Sequence, residues 1–181
     1  MTILRVAAPT FTRPNDTTTY GAGDLVANNT AAASVVALNW QFPRDALPKR
    51  QLLIRSAVSN VSGAGAIANK SIRVHLFTAV PTFTSAGDNS AISTVVATGY
   101  ANWIGSLDIP AHKLIADGSF GIGGPTSVTT SPVSEIVWEA TVAPDAGGNL
   151  NLYGFLEATG GYQPAAQETY RITLCGIPVV D

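Results

Sequence analysis

The chain has 181 residues, a formal net charge of −2 and 12% charged residues, about half the charged share of an average soluble domain. Its single cysteine excludes an internal disulfide framework and any zinc site built from several cysteines. Its apolar runs are too short for a transmembrane helix, and the slightly acidic balance offers no electrostatic footprint for nucleic acid. We therefore expect neither a membrane nor a nucleic-acid partner.

Alternation of apolar and polar residues predicts β-strands along the whole chain, and helical periodicity is nearly absent. Ile72, Val74 and Leu76 fall on one face of a predicted strand, whereas Arg73 and His75 fall on the other. Clusters of Gly, Asn, Asp and Pro separate such segments as turns. We predict strands near residues 2–7, 20–27, 34–40, 50–59, 71–78, 95–104, 134–143, 150–158 and 168–176.

Eight or nine short strands with frequent turns predict an all-β fold, a single-domain β-sandwich of jelly-roll type with long loops. Residues 1–16 are predicted to form an extended N-terminal arm, and residues 17–181 the sandwich domain. The longest segment without periodicity is 118–134, which is rich in Gly, Ser, Thr and Pro. We predict that it forms a loop.

Residues that could carry catalysis or bind metal are few and scattered. His75 and His112 lack a second His or Cys at metal-ligand spacing, and both are interpreted as surface histidines. Cys175 is interpreted as a packed thiol. Glu139 and Glu157 are predicted on the outer faces of neighbouring strands, the nearest approach to the paired carboxylates of a glycosidase. We predict no catalytic residue, no cofactor and no metal, and therefore a protein that is not an enzyme.

Charge is distributed unevenly between the two parts of the chain. Residues 1–113 hold nine basic and five acidic residues, a net charge of +4, whereas residues 114–181 hold one basic and seven acidic residues, a net charge of −6. Folding either mixes these charges in space or creates a basic face and an acidic face. The candidate contacts with a partner are Arg5 and Arg13, in the predicted arm, and Tyr162, in a Gly-rich turn.

Nine short motifs follow one another over most of the chain. They are Arg13–Asp16 (RPND), Tyr20–Val26 (YGAGDLV), His75–Phe77 (HLF), Pro81–Thr82 (PT), Asp88–Ala91 (DNSA), Gly105–Pro110 (GSLDIP), Leu152–Gly154 (LYG), Tyr162–Pro164 (YQP) and Glu168–Ile172 (ETYRI). In this order the chain resembles a family of tailed-phage virion structural proteins, encoded among head genes and generally regarded as head-decoration or minor capsid components. No catalytic or ligand-binding residue belongs to the pattern of that family.

The resemblance implies a non-enzymatic structural protein located in the virion, on the surface of the phage head, after synthesis in the host cytoplasm. Its expected partners are the major capsid protein and copies of itself in a homo-oligomer, for example a trimer. Low charge suits such a capsid decoration or cement subunit, because Thr, Ser and Ala cost less to desolvate than Lys and Glu. The alternative is a tail or fibre module that binds host glycans through Tyr153 and Tyr162.

Overall fold

The computed structural model describes residues 3–63, 70–83, 87–92, 101–110, 112–115, 118–126 and 135–180. Within these ranges the chain forms twelve strands and two 3-10 turns, Ala32–Ser34 and Arg44–Ala46. The first six strands are β1 (Leu4–Ala7), β2 (Phe11–Thr12), β3 (Asp24–Val26), β4 (Leu38–Pro43), β5 (Gln51–Ser62) and β6 (Ile72–Phe77). The others are β7 (Trp103–Ile109), β8 (Lys113–Ile115), β9 (Gly118–Thr126), β10 (Ile136–Glu139), β11 (Asn149–Ala158) and β12 (Thr169–Pro178).

Eight of these strands form two antiparallel sheets with the strand order of a jelly roll. The β5 sheet has the order β1-β12-β5-β9, and the β6 sheet has the order β4-β11-β6-β7. Counted among the eight, these orders are 1-8-3-6 and 2-7-4-5, in which strands from distant parts of the chain alternate as in a double Greek key. The prediction of an all-β, single-domain sandwich is confirmed.

The four remaining strands extend this framework at its edges. Strand β2 pairs with β12, β3 with β11, β8 with β9, and β10 with one end of β5. The strand predicted near 95–104 lies mostly outside the described residues, and β7 begins only at Trp103.

Strand β9 joins the two sheets at one side of the sandwich. Its residues 118–123 pair with β5, and its residues 124–126 pair with β7. The prediction of a loop is therefore wrong for 118–126, whereas 127–134 lie outside the described residues. The strand passes so close to β7 that a Cβ atom on Gly123 would lie 1.7 Å from the carbonyl oxygen of Asp108. Only glycine fits such an approach, and glycine carries no side chain to show an alternating pattern.

The core lies between the two sheets and contains large aromatic side chains from both. Trp40 and Phe42 of the β6 sheet are fully buried, and the ring of Phe42 packs on Trp138 of β10 with 5.0 Å between centroids. The indole Nε1 of Trp40 donates to the carbonyl oxygen of Ile172 on β12, at 3.0 Å. That hydrogen bond satisfies a buried polar atom while it links the sheets.

The N-terminal segment belongs to the sandwich, so the prediction of an arm over residues 1–16 is wrong where the structure describes it. Strand β1 pairs with β12, and β2 pairs with the start of the same strand. Leu4 and Val6 pack against the core while Arg5 points outward, and Phe11 stacks on Tyr170 with 5.3 Å between centroids. This alternation makes β1 half-buried, because one of its faces is apolar enough to bury, and its pairing with β12 alone among the described strands makes it an edge strand.

Candidate functional site

The three predicted contact residues lie in different surroundings. Arg5 is exposed on the outer face of β1, whereas Arg13 and Tyr162 are only 2% and 7% exposed. The expectation that Tyr162 is an exposed contact is wrong, and Arg13 does not offer its charge to a partner in this structure. Both belong to a buried polar cluster, which we define as Arg13, Tyr20, Lys70, Asp88, Tyr162, Glu168 and Tyr170.

One half of the buried polar cluster is organised around the carboxylate of Asp88. Arg13 donates to Asp88 Oδ2 from Nη2 at 2.8 Å, and both side chains are completely buried. The hydroxyl of Tyr20 and the amide of Ala27 donate to Asp88 Oδ1, at 2.6 and 2.7 Å. Burial raises the pKa of the Asp88 carboxyl, although these two hydrogen bonds and the charge of Arg13 act in the opposite direction. The ion pair therefore holds distant segments together at the cost of desolvating two charges.

The other half is organised around Glu168. Lys70 Nζ lies 2.5 Å from Glu168 Oε1, and the hydroxyl of Tyr170 donates to Glu168 Oε2 at 2.9 Å. Lys70 Nζ also lies 5.7 Å from the ring centroids of Tyr162 and Tyr170. Burial lowers the pKa of Lys70, which its contact with Glu168 only partly offsets. Burial likewise raises the pKa of Tyr170, so its hydroxyl keeps its proton and serves as a donor.

Tyr20 and Tyr162 connect the two halves. Their ring centroids are 5.0 Å apart, and the amide of Tyr20 donates to the carbonyl oxygen of Tyr162 at 3.0 Å. Five of the motifs that define the phage resemblance contribute to this cluster or touch it. The motif residues were visible in the sequence, but their sequence positions did not show that they contact one another inside the protein.

His112 lies beside the cluster and is 1% exposed, so its interpretation as a surface histidine is wrong. Its Nδ1 lies 2.8 Å from the carbonyl oxygen of Lys70, which makes Nδ1 the protonated nitrogen. Its Nε2 is buried with no hydrogen-bond partner among the described residues. Burial lowers the pKa of His112, because a second proton on Nε2 would add a charge without an acceptor.

The outer face of the β6 sheet carries a second chain of polar contacts, which sequence reasoning missed. Ser106 Oγ lies 3.0 Å from His75 Nδ1, and His75 Nε2 lies 2.6 Å from Glu157 Oε2. Arg73 donates to both carboxylate oxygens of Asp108, at 2.6 and 3.1 Å. The Ser-His-Glu order is that of a hydrolase triad. However, Ser106 lies in the middle of β7 and is only 4% exposed, so its hydroxyl has little contact with solvent in this structure.

The two carboxylates that came nearest to a glycosidase pair lie in different sheets. Glu139 ends β10, which belongs to the β5 sheet, whereas Glu157 lies on β11 of the β6 sheet. The prediction that they occupy neighbouring strands is therefore wrong. Among the described residues there is no group of three or more His, Cys, Asp or Glu side chains that could hold a metal ion.

Two cavities lined by described residues open on the surface. The first, of about 230 Å³, is lined by Thr78, Trp138, Asp145, Asn151 and Tyr153 together with residues 140–143. The second, of about 470 Å³, lies between the 9–12 and 36–39 segments and is mostly apolar.

The outer faces of the two sheets differ. A second apolar cluster covers part of the β6 sheet, and it consists of Leu25, Ala27, Phe77, Phe83 and Phe155 with partly buried neighbours. On the β5 sheet, by contrast, large apolar side chains remain at the surface: Ile122 of β9 is 56% exposed and Val137 of β10 is 57% exposed. We call the outer surface of β1, β12, β5, β9, β8 and β10 the bare face.

The register assigns the side chains of the bare face to rows across the strands. Arg171, Asn60, Phe120 and Lys113 form one row across β12, β5, β9 and β8. The next rows are Ala7-Thr173-Val58-Ile122, then Arg5-Cys175-Ser56, and finally Ile177-Leu53-Val137. The face is therefore mainly neutral, with apolar positions between a few cations.

Folding mixes much of the charge that is uneven along the chain. Among the described Lys and Arg residues, three from the first 113 positions pair with an acid from the remainder: Arg55 with Glu135, Lys70 with Glu168, and Arg73 with Glu157. This supports the mixed interpretation for these groups. On the bare face, Arg55 and Glu135 form one of these pairs, whereas Arg5, Lys113 and Arg171 are exposed and form no ion pair within the described ranges.

No protein-family model matches this chain, and no curated protein matches it. The resemblance to phage structural proteins thus depends on the motifs alone. In the described part of the chain, no helix has the length and apolar character that a membrane crossing requires.

Proposed function

We propose that this protein is a non-enzymatic structural subunit of a phage particle, a decoration or cement protein that binds the major capsid protein on the outer surface of the head. The observation that carries this proposal is the bare face, on which Ile122 and Val137 stay more than half exposed in a fold whose other sheet is partly covered. Apolar side chains that neighbour one another at the surface, as Ile122 does Val58 and Val137 does Leu53, are typical of a surface that a partner covers.

The buried polar cluster supports the same proposal. Its motif residues satisfy one another, and the described contacts assign them to holding the scaffold. A subunit of this kind needs a stable scaffold and a contact surface rather than a reactive group. Weak contacts suffice when many copies bind to one particle, or to one another as a homo-oligomer.

Electron microscopy of the phage particles tests the proposal. Antibodies against the purified protein, coupled to gold, are expected to label heads evenly, and a map of the particle is expected to show a jelly-roll density on the shell. Particles made without the gene serve as the control. Labelling confined to the tail, or no labelling of intact particles, would contradict the proposal.

A glycan-binding tail or fibre module is the second candidate. It loses one half of its expected platform, because Tyr162 is buried. The 230 Å³ cavity still places Tyr153 beside Asp145 and Asn151, a combination of an aromatic ring and polar groups that can bind a sugar. A glycan array probed with the wild-type protein and with Tyr153→Ala tests it: a glycan bound only by the wild type would favour this candidate.

A further inference from the structure

We infer that the bare face binds an acidic protein surface, and that Arg5, Lys113 and Arg171 contact its carboxylates. The inference deepens the proposed function and rests on it for the identity of the partner, which is the shell of the particle. The inference names the bare face as the docking surface, and it specifies that the partner's surface is acidic.

The charge of the bare face has the opposite sign from that of the chain. Among the described residues, six charged side chains lie on it: the cations Arg5, Arg55, Lys113 and Arg171, and the acids Glu135 and Glu139. The resulting charge of +2 contrasts with −2 for the other charged residues that the structure describes, which are six basic and eight acidic residues. An acidic partner is therefore attracted to this face and repelled by the rest of the surface.

Three of the cations are available for a partner. Arg55 pairs with Glu135 at 3.1 Å, but no ion pair joins Arg5, Lys113 or Arg171 to an acid within the described ranges. All three are exposed. Because they lie at the margins of the face, they can contact a partner without being fully desolvated, which favours association at little desolvation cost.

The apolar rows between the cations indicate a protein rather than a nucleic acid. Val58 and Ile122 lie between the Arg171 row and the Arg5 row, and Leu53, Val137 and Ile177 form the row beyond. Binding to the phosphate backbone draws on many cations and gains nothing from such a centre. An apolar centre within a polar margin is the usual layout of a protein interface.

The size of the face fits a contact that is repeated on a large assembly. Nine residues of β5 span about 30 Å, and four steps between neighbouring strands add about 19 Å, so the face covers roughly 600 Å². This is less than the approximately 800 Å² that each partner buries in a standard stable interface. A single copy is therefore expected to bind weakly, and many copies to occupy one shell.

Binding to particles that lack the protein tests the inference. Such particles are mixed with purified wild-type protein or with Arg5→Glu, Arg171→Glu or Ile122→Asp, and the bound fraction is measured after sedimentation. All three positions are exposed, so the variants are expected to fold. We expect each to weaken binding by at least about fivefold, and higher salt to weaken the wild type. The control is Arg44→Glu, an equal charge change at an exposed position in the 3-10 turn, with wild-type binding expected.

The outcomes separate the two proposals. Failure of the wild-type protein to bind overturns both of them. Wild-type binding that all three bare-face variants share overturns the inference and leaves the proposed function standing. If the arginine variants weaken binding but Ile122→Asp does not, and the wild-type protein also retains DNA in a filter assay, the partner is a nucleic acid and the inference is wrong.

Discussion

At the scale of single residues, two buried ion pairs hold four distant segments together. Arg13 and Asp88 are 75 positions apart, and Lys70 and Glu168 are 98 positions apart. Burying such a pair costs free energy, but removing one partner costs more, because the other charge is then buried without a counterion. Their tyrosine neighbours supply hydroxyl donors and ring faces that reduce this cost.

Breaking one pair is expected to destabilise the fold strongly. Asp88→Asn leaves Arg13 buried without a counterion, and we expect the free energy of unfolding to fall by about 3–5 kcal/mol. Urea denaturation followed by tryptophan fluorescence measures the loss. The double variant Arg13→Met with Asp88→Leu removes both charges and should recover much of it. A loss below about 1 kcal/mol in Asp88→Asn would contradict the role assigned to this pair.

His112 predicts a pH dependence of stability. Its pKa is lowered in the folded protein from the ordinary value of 6.5, so the unfolded chain binds more protons than the native state as pH falls. The stability due to the neutral imidazole is present above pH 6.5 and decreases as pH falls from 6.5 towards the lowered pKa. His112→Asn keeps a donor for the Lys70 carbonyl but does not titrate.

Urea unfolding at several pH values between 5 and 7.5 checks this expectation. The wild-type free energy of unfolding should decrease more steeply on acidification than that of His112→Asn. Equal slopes in the two proteins would show that His112 does not titrate with unfolding.

At the scale of elements, β9 shows how a glycine-rich segment can be a strand. Its neighbouring glycines provide a matched pair for a test. A Cβ atom at Gly123 would overlap the Asp108 carbonyl at 1.7 Å, whereas one at Gly124 would lie 3.5 Å from the nearest atom, the Arg55 carbonyl oxygen. The first position requires glycine, and the second has room for a methyl group.

We therefore expect Gly123→Ala to lose at least about 3 kcal/mol of stability or to become insoluble. Gly124→Ala is expected to stay within about 1 kcal/mol of the wild type. Thermal unfolding followed by circular dichroism compares them. Equal stability of the two variants would mean that β9 does not run beside β7 as described.

At the scale of the whole molecule, the N-terminal segment stabilises the domain instead of reaching out of it. Deletion of residues 1–12 removes β1 and β2, uncovers the edge of β12 and exposes core contacts of Leu4, Val6 and Phe11. We expect a loss of at least about 3 kcal/mol, from the apolar burial of these side chains. Deletion of residues 1–3, which precede β1, is the control and should leave stability unchanged.

Thermal unfolding and sedimentation velocity distinguish this from an arm. A truncated protein that melts earlier or aggregates through the open edge agrees with the structure. A truncated protein as stable as the full chain would support the prediction of an extended N-terminal arm instead.

By itself, the sequence determined the fold class, most strands and their inward faces. Alternate residues of a strand point to opposite faces, so the pattern of apolar residues along a short segment shows which face is buried. It also marked Arg13, Tyr20, Asp88, Tyr162 and Glu168 as members of motifs. Only the tertiary structure decided that these residues are buried together, that β9 is a strand and that Ile122 and Val137 stay exposed on one sheet face. Each of these depends on contacts between segments tens of residues apart, which no local pattern contains.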